Sequence, residues 1–212
     1  MRSIYIVAAA LAASCCPVLA QQWEVGALGG YSWAHDASIR NNYGSADAGF
    51  RSGFAGGVIF GENPYEYIGG ELRWMFLNGG PQLTAGGNEY SQSGFANVIH
   101  YDLLVHLTRK EEKVRPYLAG GAGIKVYTGP DRFAINQPLN NFAVIATGNH
   151  VEALISAGGG VKYRVHKGVQ LRLDFRAYMS PCPSGIFKTA YGSSIHGWTF
   201  DFVPTVGVAY LF

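Results

Sequence analysis

Charge is scarce in this sequence. Asp, Glu, Lys and Arg make up 14% of its 212 residues, where an ordinary soluble domain carries about 25%. A soluble chain so poor in charge would struggle to cover its exterior. Cysteine is scarcer still: Cys15 and Cys16 fall at the N-terminus and Cys182 stands alone in the rest, so no disulfide can form within residues 21–212. Nothing reaches the run of about 18 apolar residues that a spanning helix needs. Sustained helical spacing, low-complexity segments and domain linkers are also missing, which removes helical bundles and multidomain readings. A net charge of +2 provides no basic surface and excludes nucleic acid as a partner.

What is present begins with Arg2, an apolar run from Ile4 to Ala13, and Val18-Leu19-Ala20 before Gln21. That is the pattern of a secretory signal peptide ending in small residues, so residues 1–20 are set apart and 21–212 read as one domain. Cys15 would be the acylated terminus of a lipoprotein, but Ala12-Ala13-Ser14 ahead of it lacks the usual leucine.

The last stretch, Gly197–Phe212, organises the rest. One alternating list is Trp198, Phe200, Phe202, Pro204, Val206, Val208, Tyr210 and Phe212; the other is Thr199, Asp201, Val203, Thr205, Gly207, Ala209 and Leu211. Successive strand side chains point to opposite faces, so one face is aromatic and apolar and the other small and mixed. At about 3.4 Å per residue this strand reaches roughly 50 Å, and a tilted strand of about 9–11 residues already crosses a bilayer.

The same alternation predicts seven earlier strands: Trp23–Tyr31, Gly49–Phe60, Tyr67–Leu77, Phe95–Thr108, Arg115–Tyr127, His150–Val165 and Val169–Ala177. Between them, polar glycine-rich loops (33–47, 78–93, 128–148, 179–196) alternate strictly with short turns (61–64, 109–113, 166–168). An up-and-down sheet with two unlike rims gives that order. The reading is all-β: an eight-stranded antiparallel transmembrane β-barrel with short periplasmic turns and four long outer loops. A lipocalin-like barrel also alternates. Its exterior, however, would have to be the Gly, Ala and Ser face seen here, which suits a narrow lumen better than a solvated surface.

Two motifs carry a family resemblance. Thr205-x-Gly207-x-x-Tyr210-x-Phe212 looks like an outer-membrane assembly signal, and with Arg115-Pro116-Tyr117-Leu118-Ala119-Gly120-Gly121-Ala122-Gly123 it resembles the small OmpA/OmpX-like outer-membrane barrels. The resemblance implies a place in the cell outer membrane of a Gram-negative envelope. Its expected partners are outer-membrane lipid and lipopolysaccharide, the barrel-assembly machinery reached through the C-terminal strand, and a surface ligand that the loops do not identify. A monomer is expected. The peptidoglycan-binding domain of OmpA itself has no counterpart before Phe212, so cell-wall tethering is not carried over.

The inward list holds Glu24, Arg51, Glu71, Arg73, Asp102, Lys125, Glu152, Lys162, Arg164, Arg172, Asp174, Arg176 and Asp201. Buried charges must be paired and hydrogen-bonded, so this near-balanced set is expected to fill the lumen as a structural plug. Arg172 and Arg176 are expected to meet Asp201 on the eighth strand or Glu152 on the sixth. A small gated pore is the alternative. His100, Asp102 and His106 share one face, but His106 stands about 20 Å beyond His100, too far for a common metal. An outer-membrane enzyme acting on lipid or peptide would need a Ser–His–acid or Asp/His constellation near the outer rim; Ser193, Ser194 and His196 sit together there, as do His35 and Asp36, but no lipase or protease motif surrounds them. The expected role is structural or surface-interacting, with no catalysis, cofactor or metal.

Overall fold

The computed structural model describes residues 23–41, 44–189 and 194–212; the expected signal segment and Cys15 lie outside them. Eight strands close into an antiparallel barrel: β1 (Trp23–His35), β2 (Gly53–Glu62), β3 (Ile68–Asn78), β4 (Phe95–His106), β5 (Val114–Thr128), β6 (Asn149–His166), β7 (Val169–Pro181) and β8 (Trp198–Leu211). Each strand pairs with its sequence neighbour. The ring is completed by β1 against β8, with Val25 opposite Tyr210 and Ala27 opposite Val208.

The barrel is inside-out relative to a soluble protein. On β7, Leu173 is 62% exposed while Arg176 is wholly buried. Leu171, Leu173 and Phe175 point outward, and Gln170, Arg172, Asp174 and Arg176 point into the bore. Alternation with period two produces this directly, because every second side chain leaves by the same face. A charge placed outside should therefore meet hydrocarbon. Leu173→Arg is expected to cost about 2–4 kcal/mol near the bilayer midplane, and Val165→Arg, close to the turn rim, about 0–1 kcal/mol. Denaturant unfolding in lipid vesicles measures both; equal costs would mean that this face is not immersed.

The long loops depart from the sequence reading. Polar and turn-rich composition predicts irregular loops, yet strands 37–41, 44–50, 81–85, 88–91 and 194–196 join into a five-stranded sheet over one mouth of the barrel. Residues 143–145 pair with 187–189 beside it. Gly86 and Gly87, with φ of 55° and 84°, occupy the two-residue turn between Ala85 and Asn88. Positive φ at both positions is what a type I′ hairpin demands. Ile39, Ala48, Phe50, Leu83, Phe142, Ile145, Ile186 and Phe187 are buried together under this cap.

The expected second strand is corrected as well. It starts at Gly53, not Gly49. Phe50 ends a cap strand opposite Pro81, and Arg51, expected in the lumen, is exposed in the connection. The reason is local: the Arg51 N–H donates to the Gly80 carbonyl at 3.0 Å, so the chain is still paired with the cap there.

Candidate functional site

The buried polar side chains form a column along the bore. Nearest the short turns, the Glu24 carboxylate accepts from Lys162 Nζ and Gln170 Nε2, both at 2.7 Å, from Asn63 at 3.4 Å, and from Arg172 Nη1. Arg115 lies beside them, donating to Asn63 Oδ1 at 3.2 Å and to the Glu66 carbonyl at 2.7 Å.

In the middle, three arginines from two opposite strands share two carboxylates. Arg73 reaches Glu71 at 2.6 Å and Asp174 at 2.9 Å. Arg172 stands 2.6 Å from Glu71 and 3.2 Å from Asp174, and Arg176 stands 2.7 Å from Asp174. Tyr117 donates its hydroxyl to Asp174 and accepts from Arg172 at 2.8 Å. Strands β3 and β7 face each other across the ring, so the Arg73–Asp174 and Arg172–Glu71 bonds span its diameter.

Above them Asp102 accepts from Arg176 Nε and bonds His100 Nδ1, each at 2.9 Å, while His100 Nε2 faces the Tyr178 hydroxyl at 3.3 Å. Next comes the Lys125–Asp201 ion pair, with Lys125 Nζ also 4.5 Å from the centre of the Tyr127 ring. Tyr127, Ser180 and Thr199 then bond one another by their hydroxyls at 2.7–3.1 Å. The other side of Tyr127 stacks on Phe50 of the cap, ring centres 4.6 Å apart. Charge gives way to hydroxyl and hydroxyl to apolar core, without a break in contact.

Of the residues expected in the lumen, Glu24, Glu71, Arg73, Asp102, Lys125, Lys162, Arg172, Asp174, Arg176 and Asp201 are buried there. Three are not in the column. Arg51 is outside, as described. Glu152 is half-buried near the cap and pairs with His150 at 2.9 Å. Arg164 holds the carbonyls of Lys110 and Glu111 at the turn rim. The partners expected for the two β7 arginines are also corrected. Neither meets Asp201 or Glu152; they find Glu24, Glu71, Asp102 and Asp174, because in so narrow a bore long side chains reach the opposite wall.

Arg115, Tyr117 and Tyr178 were missed as lumen residues, although the inward parity of Lys125 and Arg176 already points to them. In the C-terminal motif Thr205 and Gly207 face inward and Tyr210 and Phe212 outward. The Phe212 N–H donates to the Trp23 carbonyl at 3.0 Å, fastening the last residue to the first strand.

His100 and Asp102 are bonded, and His106 lies away at the other end against Tyr117, ring centres 5.8 Å apart. Among the described residues no group of three or more His, Cys, Asp or Glu could hold a metal ion. Ser193 lies outside the described residues; Ser194 and His196 belong to a short strand paired with Ser38–Arg40 of the cap. Cys182 is buried in the cap, where loss of water pushes its thiol up to about 12.

Asp36 sits where β1 enters the cap. Burial, with Asp47 nearby, pushes its carboxyl from 3.8 up to about 6. A raised acid favours the folded cap only while protonated. That contribution is complete below the unfolded value and is lost as pH rises through about 6. At neutral pH, therefore, Asp36→Asn is expected to make the cap more resistant to protease, with no gain at pH 4. A gain of equal size at both values would show that ionisation is not the cause.

The sequence matches the family model of the outer membrane protein beta-barrel domain over residues 6–181. The chain belongs to this family. Its location is the cell outer membrane, which it crosses by strands. No curated protein matches the sequence significantly. Among solved structures it resembles Neisserial surface protein A, NspA, with a TM-score of 0.56 at 13% identity over 90% of this chain and 97% of that one. It also resembles the outer membrane protease OmpT of Escherichia coli, with a TM-score of 0.51 at 10% identity over 90% and 97%. Likeness at such identities concerns the fold.

Proposed function

We propose that this chain is an exported anchor: a barrel closed along its bore, held in the outer membrane, with a structural or surface-contact role carried by its cap. The observation that carries the reading is the set of arginines bridging Glu71 and Asp174 across the full width of the bore. Eight strands leave an interior only just wide enough for its own side chains, and here those side chains are locked to each other.

The cap supports the contact role. Its outward side presents Ser38, Arg40, Ser45, Asp47, Gln82 and Thr84, polar groups on a paired sheet that fixes their backbone. Lipid and lipopolysaccharide would surround the apolar wall, and the C-terminal strand would engage the assembly machinery. OmpT is a protease; this chain is read as non-catalytic, since its Ser194 and His196 belong to a strand of the cap sheet with no accompanying motif.

A small gated pore is favoured by one feature. A crevice with room for about one water leads past Arg51, Asn78 and Phe50 to the Lys125–Asp201 pair. Planar-bilayer recording separates the two readings. The wild-type protein is expected to stay silent apart from rare, small openings, and a large steady conductance would overturn the anchor in favour of the pore.

A further inference from the structure

An open groove lies outside the bore, on the lipid-facing wall of β6, β7 and β8. It has a volume of about 500 Å³ and is lined by Val161, Tyr163, Leu171, Leu173, Val206 and Gly207. Arg172 also borders it but turns its guanidinium inward to Glu24 and Glu71. A cavity of roughly 150 Å³ accepts benzene, so a groove of this size has room for a segment of an acyl chain.

Its turn-side end is Tyr163, and over that ring stands Lys113, with Nζ 5.3 Å from the ring centre. Lys113 is fixed there by its own backbone. The Arg164 N–H donates to the Lys113 carbonyl at 2.8 Å, and the Arg164 guanidinium holds the carbonyls of Lys110 and Glu111. Glu111 and Glu112 precede Lys113 in an exposed turn, yet among the described residues no carboxylate lies within ion-pair distance of Lys113 or of Lys167 in the neighbouring turn. At Tyr163 this apolar groove thus ends beneath the ammonium of Lys113, which has no ion-pair partner among the described residues.

We propose that this groove is a binding site for one anionic phospholipid of the leaflet at the turn rim. One acyl chain lies along Leu171, Leu173 and Val206, and the phosphate sits at Lys113. A membrane covers the whole wall with lipid; the charge placement is what selects an anionic headgroup here, since ammonium groups at the surface attract anionic lipid. The inference rests on the outer-membrane location and is independent of whether the bore conducts.

The test uses the full chain in detergent with equal amounts of dimyristoyl phosphatidylglycerol and dimyristoyl phosphatidylcholine, counting retained lipid by native mass spectrometry. Wild type is expected to keep one phosphatidylglycerol about fivefold over phosphatidylcholine. Lys113→Gln should bring the two to near parity, Lys110→Gln should keep the preference, and Leu171→Trp should lower retention of both by filling the groove. Heat-shifted gel mobility verifies that each variant is folded. Parity in wild type would overturn the site. So would a preference that survives Lys113→Gln, one lost equally with Lys110→Gln, or lipid retention unchanged in Leu171→Trp.

Discussion

Replacing Arg172 and Arg176 together with serine is expected to turn a silent barrel into one that conducts cations. The two arginines contact Glu24, Glu71, Asp102 and Asp174. Without them the only lysine or arginine still in an ion pair with those four acids is Arg73 or Lys162, so two positive charges and two long side chains leave the bore at once. Removing one partner of a buried pair costs about 3–5 kcal/mol, because the other charge is left without compensation. The bore can lower that cost by admitting water and cations. Steady openings with a preference for potassium over chloride in a planar bilayer are the expected result. A folded double variant that remains silent would show that these pairs do not close the bore. An anion preference would show that the stranded acids do not line the path.

The second large effect is expected in the cap. Phe50 stacks on Tyr127 and meets Phe187 edge-on, with ring centres 5.7 Å apart in the latter pair. It joins residues of three loops to the top of the bore. Phe50→Ala should cost about 3–5 kcal/mol, confined to the cap, since the barrel's own ladder does not include residue 50. Trypsin reads the difference. In wild type Arg132, exposed in a stretch without strand pairing, should be cut first, while Arg40 and Lys188 are protected by their strands. In the variant Arg40 and Lys188 should be cut at comparable rates while the heat-shifted gel mobility persists. Unchanged cleavage would mean that the cap does not depend on this contact; loss of the gel shift would mean that cap and barrel unfold as one.

The barrel was legible because its signal is local. Each strand repeats its alternation over ten or more residues, and Leu173 beside Arg172 reveals which side faces lipid. The cap was not legible, because its signal is distributed. Ile39, Leu83, Ile145 and Phe187 each stand in a short segment among polar residues, and the neighbours that bury them come from other loops. Glu152 and Arg51 show a related limit: parity was carried to the strand ends, where the side chain is already leaving the bore or the chain has left the barrel. Ion-pair partners are hidden from the sequence for a different reason: adjacency of strands does not decide them, since Arg73 finds Asp174 and Lys162 finds Glu24 across the ring.

The clasp around Glu24 bears on where such a ring could ever come apart. The β1–β8 seam is the one junction in the barrel whose strands are far apart in sequence, and so the natural place for it to unzip sideways. Glu24 belongs to β1, yet its donors Gln170 and Arg172 belong to β7 and Lys162 to β6, all beyond β8. Gly207 of β8 lies beneath this reach, and any side chain there would overlap Leu28 of β1. Parting the seam would drag a carboxylate away from three dry donors as well as break the ladder. The ring is therefore riveted from within: opening it sideways at this seam costs more than its backbone ladder alone.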